Sequence, residues 1–169
     1  MDDEQLLRYS RHIMLDELGV KAQEKLLAAH ALVLGAGGLG SPVALYLAST
    51  GVGRITLVDD DDVDLTNLQR QIIHTDGRVG MDKVDSARQA LEALNPTISI
   101  RSHRERLTRA NVEPLFSDYD IVIDGSDNFP TRYLVNDACV HLGLPNVHGS
   151  IFRFDGQVSV FWPAAPTGG

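Results

Sequence analysis

The stretch Ala31–Gly40, with the sequence ALVLGAGGLG, decides the fold. Its first four residues are apolar and end at Gly35, which is typical of a short strand buried on both faces. The glycines match the pattern G-x-G-x-x-G and lead into Ser41–Thr50, a helical segment with Pro42 in its first turn. A strand, a glycine-rich turn and a helix in this order predict a doubly wound α/β unit with an anion site at the helix N-terminus.

The alternation of strands and helices continues along the chain. We predict further strands at Arg54–Val58, Ile98–Ile100, Ile121–Ile123, Asn146–His148 and Val158–Phe161, and helices at Met81–Leu94, Asn111–Phe116 and Thr131–Leu142. The pattern predicts an α/β fold: a doubly wound, mostly parallel, Rossmann-like sheet. We expect residues 1–30 to be a helical segment that packs on the domain or at a dimer interface, residues 31–162 to be the Rossmann-like domain, and residues 163–169 to be a loop-like tail.

Length, charge and composition exclude several classes of protein. The 169 residues suit one domain, since domains average about 150 residues. With 15 basic and 23 acidic residues the net charge is −8, which disfavours general binding to nucleic acid. Apolar runs such as Ile121–Ile123 are far shorter than the about 20 residues of a membrane-spanning helix. The N-terminus is acidic and lacks the apolar core of a signal peptide, so we expect a cytoplasmic protein without membrane association.

Asp59 lies at the end of the second predicted strand, 19 residues after Gly40. An acidic residue at this place is typical of a side chain that accepts hydrogen bonds from ribose hydroxyls. The carboxylates that follow, Asp60–Asp62 and Asp64, favour a solvated loop. They lack the spacing and the glycine of an EF-hand calcium loop.

Two cations and three side-chain amides follow the acidic loop. Asn67–Gln71 (NLQRQ) contains Arg70, and arginine is well suited to phosphate oxygens. Lys83 lies near the start of a predicted helix, where a cation is unfavourable next to the positive end of the helix dipole. An anion bound there would explain it. An exposed helix and a solvated lysine are the plain alternatives.

Asp127 and Asn128 follow the predicted strand Ile121–Ile123. In an open α/β sheet the carboxyl ends of the strands face the ligand crevice. Asp127 could hold Mg²⁺ through its carboxylate. Alternatively, Asp127 and Asn128 cap the helix that follows. Cys139, the single cysteine, lies within a predicted apolar helix and favours a buried structural residue over a nucleophile.

Several motifs in one order resemble the ThiF/MoeB family. These are adenylyltransferases that activate ubiquitin-like sulfur-carrier proteins, and they are related to ubiquitin-activating enzymes. The resemblance covers essentially the whole chain. It rests on Arg8–Ile13, Gly35–Gly40, Asp59–Asp62, Asn67–Gln71, Lys83 and Ser126–Asn128.

The resemblance implies an ATP-dependent reaction with Mg²⁺. The C-terminal Gly-Gly carboxylate of a small carrier attacks the α-phosphorus of ATP, pyrophosphate leaves and an acyl-adenylate forms, as in molybdopterin or thiamine biosynthesis. It implies that Gly38 approaches the nucleotide, that Asp59 holds the ribose, and that the phosphates are bound by Asn67, Arg70 and Lys83.

The resemblance also implies a metal ligand and a residue that acts across subunits. Asp127 would hold Mg²⁺, with Asn128 beside it at the nucleotide. Arg11 resembles the arginine that this family supplies to the partner subunit's active site, and we therefore expect a homodimer. Members continue beyond the equivalent of Gly169 into a Cys-x-x-Cys segment that binds zinc. This sequence lacks it, so we expect a chain truncated before that segment and free of zinc.

Two other functions remain compatible with parts of the sequence. An NAD-dependent oxidoreductase domain would satisfy the glycine motif and Asp59, but it would leave Arg70 and Asp127 without a role. A non-catalytic nucleotide-binding module would need none of the phosphate-side residues. Binding of ATP with Mg²⁺ compared with NAD⁺ would separate these alternatives.

Overall fold

The computed structural model describes residues 1–165 and has the predicted α/β architecture. Its strands are β1 (His30–Leu34), β2 (Arg54–Val58), β3 (Ser99–His103), β4 (Ile121–Asp124), β5 (Asn146–Phe152) and β6 (Asp155–Phe161). Its helices are α1 (Asp3–Arg8), α2 (Ser10–Ile13), α3 (Gly19–Ala28), α4 (Gly40–Thr50), α5 (Lys83–Leu94), α6 (Val112–Phe116) and α7 (Phe129–Leu142), with short 3₁₀ turns at Leu65–Asn67 and Asp76–Arg78.

The six strands form one sheet in the order β3-β2-β1-β4-β5-β6. The strands β1 to β5 are parallel, and β6 pairs antiparallel with β5. The prediction of a doubly wound, mostly parallel sheet is therefore confirmed. Because β1 neighbours both β2 and β4, the chain reverses its direction of winding there, and a crevice opens at the carboxyl ends of β1 and β4.

The predicted bounds of some elements differ from those in the structure. The helix predicted at Met81–Leu94 begins at Lys83, and the helix predicted at Thr131–Leu142 begins at Phe129. The two last strands are longer than predicted, at seven residues each. They meet in a tight hairpin in which Arg153 adopts a left-handed backbone conformation with φ of 57°.

Alternate residues of β1 supply the two halves of the core. Ala31 and Val33 face the layer that contains α4 and α5. Leu32 and Leu34 face the layer that contains α6 and α7. All five residues of β1 are buried, so helices cover the centre of the sheet on both sides.

The N-terminal helices pack at the amino ends of the strands, which is the edge opposite the crevice. Tyr9 is 2% exposed and lies against Gly51, where an added Cβ would approach the Tyr9 ring to 2.5 Å. The side-chain amide of Asn95 donates to the Tyr9 hydroxyl oxygen at 2.9 Å. The Gln23 amide donates to the Thr50 carbonyl at 3.0 Å. Both Gly51 and Asn95 precede strands, so they place this segment at the amino edge.

Part of the same segment leaves apolar side chains exposed. The exposed fractions are 78% for Leu7, 72% for Met14 and 50% for Leu15. The segment thus packs on its own domain through Tyr9 and Gln23 and presents further apolar surface to its surroundings. None of the helices among residues 1–165 is long and apolar enough to cross a lipid bilayer. Of the predicted tail 163–169, residues 166–169 lie outside the described part of the chain.

The core packing yields a stability prediction. Phe116 of α6 is fully buried in the layer over Val122 and Val135, whereas Phe154 at the tip of the β5–β6 hairpin is fully exposed. We expect Phe116→Ala to lower the free energy of unfolding by about 3–5 kcal/mol because it leaves a cavity. The matched change Phe154→Ala should alter it by less than about 0.5 kcal/mol. Urea unfolding measures both values, and similar values for the two variants would contradict this packing.

Candidate functional site

A cleft of about 670 Å³ opens at the carboxyl ends of β1, β2 and β4. Its walls are the glycine turn that follows β1, the loops after β2, β3 and β4, and the start of α7. The side chains of Arg70, Gln71, Lys83 and Ile151 complete the lining. The cleft therefore lies at the crevice that the strand order predicts for a ligand.

The cleft brings together most of the residues that the sequence singled out. Those that line it are Gly38, Asp59, Arg70, Lys83, Asp127 and Asn128. Asn67 does not line it: Asn67 ends a 3₁₀ turn, and its carbonyl accepts the N–H of Arg70 at 3.1 Å. Arg11 does not line it either, since it is exposed on α2 at the opposite edge of the sheet.

The glycine turn is shaped by a close approach of the backbone to itself. A Cβ at Gly40 would lie 1.7 Å from the carbonyl oxygen of Gly35, so a larger residue there would force the strand and the helix apart. A Cβ at Gly38 would meet the aliphatic part of Arg70 at 3.6 Å. The stem of Arg70 therefore lies beside the turn and places its cation at the same end of the cleft.

Asp59 is tied to the glycine turn and to its own loop. One carboxylate oxygen accepts the N–H of Ala36 at 2.8 Å, and the other accepts the N–H of Asp61 at 2.9 Å. Each oxygen keeps a second lone pair, so the carboxylate can still accept from a ligand hydroxyl. Burial raises the pKa of the Asp59 carboxyl, while these N–H groups and the Lys83 ammonium oppose the rise.

Lys83 already has an anionic partner within the protein. It is the first residue of α5, is 5% exposed, and its Nζ lies 2.7 Å from a carboxylate oxygen of Asp61. The cation at the helix N-terminus is thus balanced by Asp61, which corrects the view that it needs a bound anion or is merely solvated. The acidic loop is correspondingly not just a solvated run, because Asp62 also pairs with Arg104 at 3.0 Å.

The turn that carries Asp127 is held from two sides. Buried Asp124 accepts the N–H and the hydroxyl of Ser126 at 3.0 and 2.6 Å. The guanidinium of Arg132 donates to the Ser126 carbonyl at 3.0 and 3.1 Å. Asn128 caps α7 by accepting the N–H of Thr131 at 3.0 Å, so the capping alternative holds for Asn128.

Asp127 itself remains open to a ligand. It is exposed, it lines the cleft, and within residues 1–165 no cationic nitrogen lies within 4.0 Å of its carboxylate. Elsewhere in that part of the chain, one group of three possible metal-ligating side chains is present, formed by Asp59, Asp60 and Asp61. Asp61 in that group is already paired with Lys83.

Four residues near the cleft escaped the sequence analysis as functional candidates. Gln71 lines the cleft, is 4% exposed and has a buried carbonyl oxygen without a partner among the described residues. Its neighbour Arg70 was the available signal. No sequence pattern marks the other three residues, because each bonds a partner that only the fold brings close. Arg132 bonds Ser126, His74 bonds Ala36 and His148 bonds Asp124.

These features define the class of protein: a doubly wound α/β domain whose glycine turn, acidic strand end and flanking cations line one cleft at the carboxyl ends of the strands. The model of the ThiF family matches residues 9–168, and the chain belongs to this family. The predicted resemblance is confirmed.

Two relatives whose names contain adenylyltransferase are similar to almost the whole chain. The chain is 55% identical over 98% of its length to the probable adenylyltransferase/sulfurtransferase MoeZ of Mycobacterium tuberculosis, of which it covers 42%. It is 49% identical over 94% of its length to the sulfur carrier protein adenylyltransferase of Thermus thermophilus, of which it covers 58%. The chain therefore spans roughly half the length of these relatives.

A solved structure with a nucleotide shares the fold. The E. coli tRNA N6-threonylcarbamoyladenosine dehydratase TcdA, in complex with ATP, superposes with a TM-score of 0.83 at 33% identity. The match covers 88% of this chain and 61% of that one.

Cys139 provides a test of the burial on the α7 side. Burial and the nearby charge of Asp124 raise the pKa of the Cys139 thiol to about 12. Because the thiolate is the nucleophile, we expect no measurable reaction with a thiol reagent at pH 8 in the native protein and complete reaction after unfolding in guanidinium. A native reaction rate equal to that of the unfolded chain would contradict this burial.

Proposed function

We propose that this chain is the adenylation domain of an ATP-dependent adenylyltransferase. Its substrate would be the C-terminal Gly-Gly carboxylate of a small ubiquitin-like sulfur-carrier protein. The observation that carries the proposal is one cleft lined by the glycine turn, by the cations Arg70 and Lys83, and by the carboxylate of Asp127, which has no ion pair within residues 1–165. The names of the relatives at 55% and 49% identity support the same reaction class.

The lining of the cleft suits ATP. Leu34, Val58 and Leu107 offer apolar surface to a base, and Asp59 offers acceptors to ribose hydroxyls. Arg70 and Lys83 offer positive charge to phosphates, and the buried side-chain carbonyl oxygen of Gln71, which also lines the cleft, has no partner among the described residues. The ATP complex of the 33% identical TcdA supports this choice of nucleotide.

Mg²⁺ fits the open carboxylate of Asp127. Carboxylate oxygens are ligands that Mg²⁺ prefers, and Mg²⁺ sites in enzymes often use one or two carboxylates together with substrate phosphates. Mg²⁺ bound there would neutralise phosphate charge during phosphoryl transfer. The neighbouring Asp124 and Arg132 would keep the turn of Asp127 in place. Cys139 is buried in α7, so we propose no zinc site of thiolates in residues 1–165.

The reaction asks mainly for positioning and charge compensation. A carboxylate oxygen of the carrier forms a bond to the α-phosphorus, and the bond from that phosphorus to the bridging oxygen breaks, which releases pyrophosphate. Arg70 and Lys83 would compensate the negative charge that collects on the leaving pyrophosphate. Lys83 has three N–H donors and uses one side-chain contact on Asp61, so it can keep that contact while binding a phosphate.

Arg11 would act across a homodimer. It lies on α2 at the amino edge of the sheet, while the cleft lies at the carboxyl edge of the same chain. An arginine at that place reaches a cleft only in another subunit. The exposed apolar side chains of Leu7, Met14 and Leu15 beside it offer surface that a twofold interface would bury.

The two alternative functions explain less of the geometry. A dinucleotide-binding oxidoreductase domain would use the glycine turn and Asp59 and would give no role to Asp127 or Arg70. A non-catalytic module would not need a carboxylate held open by Asp124 and Arg132. Adenylation therefore explains more of the residues in the cleft than either alternative.

The test of the proposed function is pyrophosphate exchange. Radiolabelled pyrophosphate should enter ATP when the chain is given ATP, Mg²⁺ and a Gly-Gly carrier from a panel of such proteins. We expect Asp127→Ala to reduce this exchange at least about a hundredfold, the loss typical of a removed transition-state contact. Asp118→Ala, an exposed aspartate at the opposite edge of the sheet, should retain full exchange. Near-normal exchange by the Asp127 variant would remove this residue from the mechanism.

Removal of the Arg70 side chain should weaken the binding of ATP more than the binding of AMP. If Arg70 contacts phosphates beyond the first, Arg70→Ala weakens ATP binding by about 1.5–3 kcal/mol, the value of a charge-assisted hydrogen bond, and leaves AMP binding nearly unchanged. Calorimetric titration of both nucleotides measures the difference. The control is Arg101→Ala, an exposed arginine on β3. Equal losses for ATP and AMP would show that Arg70 does not bind the phosphate tail.

Mixing two inactive chains tests the role of Arg11. An Arg11→Ala chain and an Asp127→Ala chain should each be inactive, and together they should recover part of the exchange activity. A mixed dimer would hold one intact site, with Asp127 from one subunit and Arg11 from the other. If subunit exchange is demonstrated and the mixture stays inactive, Arg11 does not act in trans.

A further inference from the structure

His74 is a buried histidine that the proposed mechanism leaves without a role. It is 6% exposed and lies between two elements that carry phosphate-side residues. Its Nε2 is 2.9 Å from the carbonyl oxygen of Ala36 in the glycine turn. Its Nδ1 is 2.8 Å from the hydroxyl oxygen of Ser86, one turn along α5 from Lys83.

These partners define how His74 bonds. A carbonyl oxygen only accepts, so Nε2 carries a proton and donates to Ala36. In the neutral imidazole, Nδ1 then accepts the proton of the Ser86 hydroxyl. Burial lowers the pKa of His74, and the neighbouring Lys83 and Arg78 act in the same direction against the carbonyl contact. The lowered pKa favours the neutral ring, and the neutral ring satisfies both contacts.

The two contacts of His74 complete a closed circuit of hydrogen bonds. From Ala36 the N–H donates to Asp59 at 2.8 Å, and the second oxygen of Asp59 accepts the N–H of Asp61 at 2.9 Å. The backbone carbonyl of Asp61 then accepts the N–H of Lys83 at 3.0 Å, and its carboxylate binds Nζ of the same lysine at 2.7 Å. The first turn of α5 joins Lys83 to Ser86, and hydrogen bonds of His74 link Ser86 to Ala36.

The circuit also includes the segment that carries Arg70 and Gln71. The backbone N–H of His74 donates to the backbone carbonyl of Gln71 at 3.1 Å, which ties the histidine to that turn. On the other side, Nη1 of Arg78 donates to the backbone carbonyl of Ser86 at 2.8 Å. The N–H and the C=O of Ala36 are thus both held by side chains, those of Asp59 and His74.

We propose that His74 is a positioning residue that closes this circuit and thereby fixes the glycine turn and Lys83 relative to each other across the cleft. It does not touch the nucleotide. The expected effect of His74 on ATP affinity rests on the proposed function. Its effect on the glycine turn is independent of any ligand.

Removing either contact of His74 should loosen the turn and weaken ATP more than AMP. His74→Phe keeps a ring of similar size without hydrogen bonds, and Ser86→Ala removes one partner. We expect the Kd and the KM for ATP to rise about three- to tenfold for His74→Phe, the equivalent of one ordinary hydrogen bond. AMP binding should change less than about twofold, because AMP lacks the outer phosphates that Lys83 would bind.

A conservative variant and a double variant separate positioning from general destabilisation. His74→Gln retains a donor for the Ala36 carbonyl and should recover part of the ATP affinity. His74→Phe combined with Ser86→Ala should be no weaker than His74→Phe alone, because both changes open the same circuit. His141→Gln and Ser49→Ala, at exposed positions, are the matched controls. Urea unfolding checks that each variant folds.

Amide hydrogen exchange without nucleotide gives a readout that does not depend on the proposed function. The Ala36 and Gly37 amides should exchange faster in both His74→Phe and Ser86→Ala than in the wild type and in the controls. Unchanged exchange at these amides, or equal losses for ATP and AMP, would overturn the positioning role. If instead the wild type binds no ATP, the proposed function fails, while the exchange rates still decide the role of His74.

Discussion

The burial of β1 between β2 and β4 is the constraint on which the rest of the structure depends. A strand that is buried on both faces and paired on both edges has no freedom to shift, and its end is therefore a fixed point. The glycine turn begins at that fixed point, Asp59 directly follows β2, and Asp124 ends β4. The cleft is thus assembled from three strand ends whose relative positions the sheet determines.

Because the net charge is −8, a positive potential in this cleft depends on the charged residues that line it. An anionic nucleotide would be repelled by the protein as a whole, so binding depends on where the few cations lie. Arg70, Lys83, Arg106 and Arg132 line the cleft together with several carboxylates. Lys83 and Arg132 are held by Asp61 and the Ser126 carbonyl, whereas Arg70 makes one long contact of 3.4 Å to the Thr66 carbonyl. Arg70 is accordingly freer than Lys83 and Arg132 to follow a phosphate, and the Arg106 side chain makes no hydrogen bond or ion pair within residues 1–165.

The sequence predicts the interior of this fold well and its periphery less well. The strand at Arg54–Val58 is predicted with the bounds that the structure shows, because Gly53 precedes it and an aspartate run follows it, and four of its five residues are buried. The hairpin of β5 and β6 extends beyond the predicted strands into solvent, where Phe154 and Val158 are largely exposed. Alternating hydrophobicity indicates that one face of a strand is buried, so it gives no signal where a strand extends into solvent. Similarly, Lys83 is identified from the sequence as a candidate, but its partner Asp61 is brought to it by antiparallel backbone pairing of residues 61–63 with residues 80–83.

The same limit applies to the residues that support the cleft, and it explains why they are found only in three dimensions. A residue that binds a ligand belongs to a short motif, since the turn that presents it is local. A residue such as His74 acts between Ala36 and Ser86, and its identity is constrained by the distance between two elements rather than by its neighbours in sequence. Asp124 works in the same way, because it joins Ser126 to His148 on the adjacent strand. Both are buried polar side chains whose partners are satisfied within the fold, and an unsatisfied group there would cost more than an apolar replacement. Their presence at this edge of the sheet is therefore best explained by the precision that the turns of Gly38 and Asp127 require.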